Sequence, residues 1–167
     1  VVGPMLQPGY WWGAHDARHS LYFLFEFQQA LSDTWWPRWA PDFAFGYGYP
    51  FFNIYGPLTA YVGALFVGLG AGLVGAVKLS FALGTLLSGW AMYGLGRRLF
   101  GARAGLVAGA AWLLLPYHLA DLYLRAAMAE SWAFVWLPLV LWGFYECAVA
   151  PQPRAVALTG LAYAAFF

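Results

Sequence analysis

The run GLVGAVKLSFALGTLLSGWAMYGLGR, residues 72–97, decides the fold. As a helix its 26 residues reach roughly 39 Å, more than the ~30 Å hydrocarbon core of a bilayer. Ala76, Ser80, Gly84 and Ser88 recur at every fourth position. Such a stripe of small side chains lets a second helix approach closely inside a membrane. Arg97-Arg98 ends the run and Arg103 follows.

Downstream, a second span is expected over about 104–120, with Gly101, Gly105 and Gly109 at the same spacing and Pro116 near its end. A third is expected over about 131–149. Pro151, Pro153 and Arg154 form a loop, and 155–167 begins a fourth span. That last run has about 13 residues where roughly 20 are needed, and Val1 is not a methionine. The sequence therefore reads as a piece of a longer chain, with 1–8 as the exit of a preceding helix. Composition agrees with a lipid setting. Hydrophobic residues make up 63% and charged residues 9%, against about a quarter charged in soluble domains. A net charge of +1 gives no footing for nucleic acid, and the single Cys147 excludes an intrachain disulfide or a multi-cysteine metal site. The fold class expected is all-α, a polytopic bundle with juxtamembrane helices.

Upstream, residues 57–69 open on Pro57 and close at Gly68 and Gly70. At roughly 20 Å this helix is short for a span and reads as juxtamembrane or partly inserted, a short full span being the alternative. Residues 9–56 are polar and rich in aromatic rings, including Trp35-Trp36-Pro37-Arg38-Trp39. Tryptophan favours the headgroup level. Within this stretch an interfacial helix is expected over 17–32, where His15, Arg18, Tyr22, Glu26, Gln29 and Asp33 recur at steps of three and four. Phe45-Gly46-Tyr47-Gly48-Tyr49 lacks the threonine and valine of a potassium filter and reads as tight turns against aromatic packing.

If the three later spans alternate, Arg97, Arg98, Arg103 and Arg154 share one side, which the positive-inside rule makes cytoplasmic. The opposite, outer side then collects His15, Asp16, Arg18, His19, Glu26, Lys78, His118, Asp121, Arg125 and Glu130. Ionisable groups beside hydrocarbon are costly and mark functional cavities by default. Asp16 reads either as a helix N-cap or as a carboxylate that accepts a proton or holds a metal. His15 and His19 are four apart, as on a metal-binding face, but no glutamate lies between them and no metal ligand set is assigned. Contacts to substrate or headgroup suit them better. Lys78 either snorkels to the interface or offers a cation to a phosphate. Asp121 and Arg125 are spaced for an ion pair, with His118 three residues before Asp121. Glu130 opens the next span, where the helix N-terminus favours an acid.

These residues resemble a bacterial and archaeal family. Ala14-His15-Asp16 with His19, Pro37-Arg38-Trp39-Ala-Pro41, Phe45-Gly-Tyr-Gly-Tyr-Pro50 and Phe52-Asn53-Ile-Tyr55 resemble the membrane domain called 6-pyruvoyl-tetrahydropterin synthase-related. Arg97-Arg98-Leu-Phe-Gly101 and Pro116-Tyr-His118-Leu-Ala-Asp121-Leu-Tyr-Leu-Arg125 extend the resemblance over about 9–149. Ala14 and Gly56 depart from it, where Gly and Pro are common. That family is in turn similar to the GT-C glycosyltransferases, which use a polyprenyl-phosphate sugar at the outer face of the cell membrane. The resemblance implies Asp16 as the catalytic loop carboxylate and Asp121 as the acid at the outer end of a later helix. His15, His19, Lys78, His118, Asp121, Arg125 and Glu130 are the substrate-binding candidates. The sugar and acceptor stay open, as does participation of a divalent cation. The rival readings are a non-catalytic membrane scaffold and a transporter.

Overall fold

The computed structural model describes residues 1–166. After a single 3-10 turn at Gly3–Leu6, the helices are α1 (Ala17–Asp33), the one-turn α2 (Phe51–Ile54), α3 (Leu58–Gly68), α4 (Leu73–Phe100), α5 (Ala102–Leu113), α6 (Pro116–Ala120), α7 (Met128–Val149) and α8 (Pro153–Phe166). A π turn, Asp121–Arg125, continues α6. Among the described residues there is no strand, only an isolated antiparallel bridge between Ala40 and Tyr49.

Two helices, α4 and α7, are long and apolar enough to cross a membrane, and α5 with Pro116–Arg125 makes a third if read as one broken span bent by 41°. The charges on α4 bracket its apolar length. Between Lys78 and Arg97 lie eighteen uncharged residues, roughly 27 Å of helix, close to one hydrocarbon core. Helix α3 is apolar but only 11 residues long.

Close backbone approach holds α4 and α5 together. A Cβ on Gly105 would lie 2.8 Å from the Arg97 nitrogen and the Tyr93 oxygen, and one on Gly109 2.9 Å from the Gly89 oxygen. The stripe Ala76, Ser80, Gly84, Ser88 is buried and receives α7: the Trp132 indole donates to Ser80 Oγ at 3.2 Å. At Gly84 a Cβ would stand 3.0 Å from the same indole nitrogen. Thr85 and Ser88 donate to the Phe81 and Thr85 carbonyls of their own helix, each at 2.8 Å, so the buried hydroxyls inside α4 are satisfied locally.

The expected span over 104–120 is broken at Leu114 and Leu115. Pro116 has no N–H for the Trp112 carbonyl one turn earlier. His118 Nδ1 lies 3.0 Å from that carbonyl, so the ring nitrogen donates the missing bond. Pro138 inside α7 likewise frees the Phe134 carbonyl, and the Trp112 indole donates to it at 3.2 Å. The His118 ring stacks on Phe134 at 4.1 Å. The gap left by Pro116 is thus closed from within its own short helix, and the one left by Pro138 by an indole on α5.

Helix α1 packs on α3 and α4 through Ala17, Leu21 and Leu24, against Ala76, Val77 and Phe81. A Cβ at Gly63 would meet Leu24 at 2.8 Å. A second aromatic core joins Phe27, Phe51 and Phe52. The chain reverses at Gly46 and Gly48, both at positive φ, and the Trp39 ring lies on Gly48. The rings of Phe45 and Tyr47 stand outward and exposed, rather than packed against the turn.

Candidate functional site

Asp16 stands at the N-terminus of α1, yet its carboxylate makes no capping hydrogen bond. The backbone fixes the residue instead. The His15 N–H donates to the Leu124 carbonyl at 3.0 Å, and the Asp16 N–H to the Arg125 carbonyl at 2.6 Å. Those two bonds splice the loop before α1 onto the π turn, 109 positions further along the chain by the Asp16–Arg125 pair.

The next turn aims the side chains. Ala126 takes a left-handed backbone, φ 54°, fully buried. For a residue with a Cβ this costs roughly 1–2 kcal/mol, and two bonds hold it. The Ala126 N–H donates to the Asp121 carbonyl at 2.8 Å. Ser20 Oγ donates to the Ala126 carbonyl at 2.9 Å. The reversal brings Arg125 back against Glu130, whose carboxylate accepts from both guanidinium nitrogens, Nη2 at 2.7 Å and Nη1 still closer.

Arg125 is therefore the hub of three carboxylates. Asp16 Oδ2 lies 3.6 Å from Nη2 and Asp121 Oδ1 3.7 Å from Nη1. Asp121 has no exposed surface and neither of its carboxylate oxygens has a hydrogen-bond partner, so its compensation is the nearby charge alone. On the other side of Asp16, His19 Nδ1 is 3.4 Å from Oδ1, and the His19 ring stacks on Phe23. The Tyr117 hydroxyl reaches Glu130 at 3.4 Å.

Asp16, His19, Arg125 and Glu130 line a cavity of about 240 Å³, whose opposite wall is Phe23, Phe51 and Tyr55. Phe51 and Tyr55 stack 4.9 Å apart, nearly parallel. The cavity thus has a charged wall and an aromatic wall, which suits a ligand bearing both polar edges and apolar faces. Sequence reasoning passed over the aromatic wall, although the one-turn spacing of Phe51 and Tyr55 was its visible sign.

Of the sequence-derived candidates, the structure gathers Asp16, His19, Asp121, Arg125 and Glu130. The exposed His15 contributes its backbone N–H to the splice. Lys78 and His118 are used elsewhere. The Lys78 ammonium donates to the Gly9 carbonyl at 3.0 Å and, more closely, to that of Gln7, tying the N-terminal segment to α4. His118 is fully buried in the helix break. Among the described residues, no group of three or more His, Cys, Asp or Glu side chains is placed to hold a metal ion.

Outside this site, Glu26 on α1 is also buried, with one carboxylate oxygen accepting from the Asp42 N–H at 3.3 Å and the other unpartnered. Burial holds its carboxyl above the usual range; the Asp42 N–H opposes this and the Asp42 charge adds to it. Comparison with protein-family models, curated proteins and solved structures finds no match to this chain.

Proposed function

We propose that the cavity beside Asp16 is the reaction centre of a membrane glycosyltransferase of GT-C type, taking a sugar from a polyprenyl-phosphate donor at the outer membrane face. One observation carries the reading. A carboxylate at a helix terminus is left free of its capping bond and faces both a cavity and an arginine. The resemblance of the 9–149 motifs supplies the donor class.

In this reading Asp16 accepts the proton of an acceptor hydroxyl. The acceptor oxygen bonds to the anomeric carbon as the bond from that carbon to the phosphate oxygen breaks, and the electron pair leaves with the phosphate. His19 fixes the Asp16 carboxylate, and the Phe51–Tyr55 pair offers a face for the sugar ring. Arg125 meets the phosphate. Its fork is held by Glu130, and a phosphate offers the same two-pronged geometry, so the donor takes the place of Glu130. Lys78 plays no part in this scheme, since its ammonium is engaged by the Gln7 and Gly9 carbonyls.

A test is transfer from a polyprenyl-phosphate sugar by the protein reconstituted in vesicles. Asp16→Asn, folded, is expected to lose transfer while still binding donor. A folded Asp16→Asn protein with full activity ends the proposal. The scaffold reading has one observation in its favour: Arg125 is already paired on every side. It predicts that donor lipid binds neither the parent nor Glu130→Gln. Transport is disfavoured because the buried hydroxyls of α4 are satisfied by their own helix or by Trp132.

A further inference from the structure

At the opposite end of α4 a second pocket opens on the surface. It encloses about 500 Å³ between Trp90, Tyr93, Arg97, Arg98 and Trp142. Gly94 makes room for it: the Trp142 ring would stand 2.5 Å from any Cβ there. The two arginines differ. Arg98 is matched by Glu146, its Nε 2.5 Å from Oε1, and the Trp142 indole donates to the same oxygen at 2.9 Å. Arg97 reaches only the Tyr93 hydroxyl, at 3.4 Å. Among the described residues it has no carboxylate partner, and it is exposed.

Trp90 and Trp142 also border a longer groove of about 890 Å³ along α7 and α8, lined by Leu139, Leu158 and Ala162 with Arg154 at its rim. So a cationic, tryptophan-walled pocket opens beside an apolar groove at the Arg97 end of α4. We infer that this is a binding site for an anionic phospholipid, whose phosphate faces Arg97 between the two indoles and whose acyl chain lies in the α7–α8 groove. Charge identifies the occupant. Arg97, Arg98, Arg103 and Arg154 stand at this end against Glu146 alone, an excess of positive charge at a bilayer surface, and aromatic belts seat at headgroup level. The inference does not depend on the transferase reading.

The test is native mass spectrometry of the delipidated protein given phosphatidylglycerol and phosphatidylcholine with identical acyl chains. The expected result is retention of phosphatidylglycerol over phosphatidylcholine by about fivefold or more, since a basic residue near the surface contributes about 1 kcal/mol. Arg97→Gln removes that preference. Trp90→Ala, which alters no charge, lowers phosphatidylglycerol retention. Arg103→Gln, at the same end but outside the pocket, retains it. Equal retention of the two lipids by the parent overturns the site. So does an Arg103→Gln loss as large as that of Arg97→Gln, which would mean a diffuse surface field.

Discussion

At the end of α4 where the cavity lies, one guanidinium is ringed by three carboxylates; at the other end stand four arginines and a single glutamate, which pairs with Arg98. Both regions sit at the ends of the same apolar helices, and both use arginine and aromatic rings. They differ in how the charge is compensated. Arg125 is drawn inward by a strained turn and satisfied by side chains from α1, the π turn and α7. Arg97 is left facing outward with only a hydroxyl. At the first end the protein neutralises its own charges; at the second, Arg97 keeps an unmatched charge at the surface.

The sharpest way to break this contrast is at Asp16. If the cavity is the reaction centre, Asp16→Asn lowers transfer by about 10²–10⁴-fold, the usual weight of a general base, while Arg103→Gln at the other end leaves the rate alone. Next comes the hub itself. Arg125→Ala strands the buried Asp121 carboxylate, so thermal unfolding in detergent should shift well downward, and adding Asp121→Asn should restore part of the loss. Arg97→Gln should shift it little. Ser20→Ala leaves the Ala126 carbonyl without its donor, at a cost of about 1–2 kcal/mol, measurable by denaturant titration.

The smallest effect expected is at Glu26. Its pKa is raised in the folded chain, so the native state holds the proton more firmly than the unfolded one. The stability tied to that proton is complete below the unfolded value, about 4.3, and is lost as pH rises through the higher folded value. Stability measured by denaturant titration should therefore fall from acidic to neutral pH, and Glu26→Gln should remove that part of the trend.

The long apolar helices were legible because length and hydropathy act locally. Grouping Asp16 with Arg125 was legible only through the alternation of spans and the arginine bias, which put both near one membrane face. Their contact was not, since it depends on Ala126 adopting a backbone that its side chain disfavours. Nor could spacing reveal that His118 replaces a donor missing at Pro116, or that Lys78 reaches carbonyls about seventy residues away. In each case a backbone group freed or exposed elsewhere in the fold captured the side chain. Pro116 and Pro138 were visible as helix interruptions; what answers them, His118 in the same short helix and Trp112 on α5, was not.

The eighteen uncharged residues between Lys78 and Arg97 have one more consequence. Lys78 is tethered by the Gln7 and Gly9 carbonyls and has lost the freedom to slide with the membrane surface. At that end of the roughly 27 Å apolar length the side chain can no longer adjust by snorkelling. Thickness mismatch must be taken up at the Arg97 end or by tilting the whole bundle. Lengthening the acyl chains of the host bilayer should consequently disturb the two ends unequally, drawing Arg97 toward hydrocarbon before the Asp16 cavity is affected.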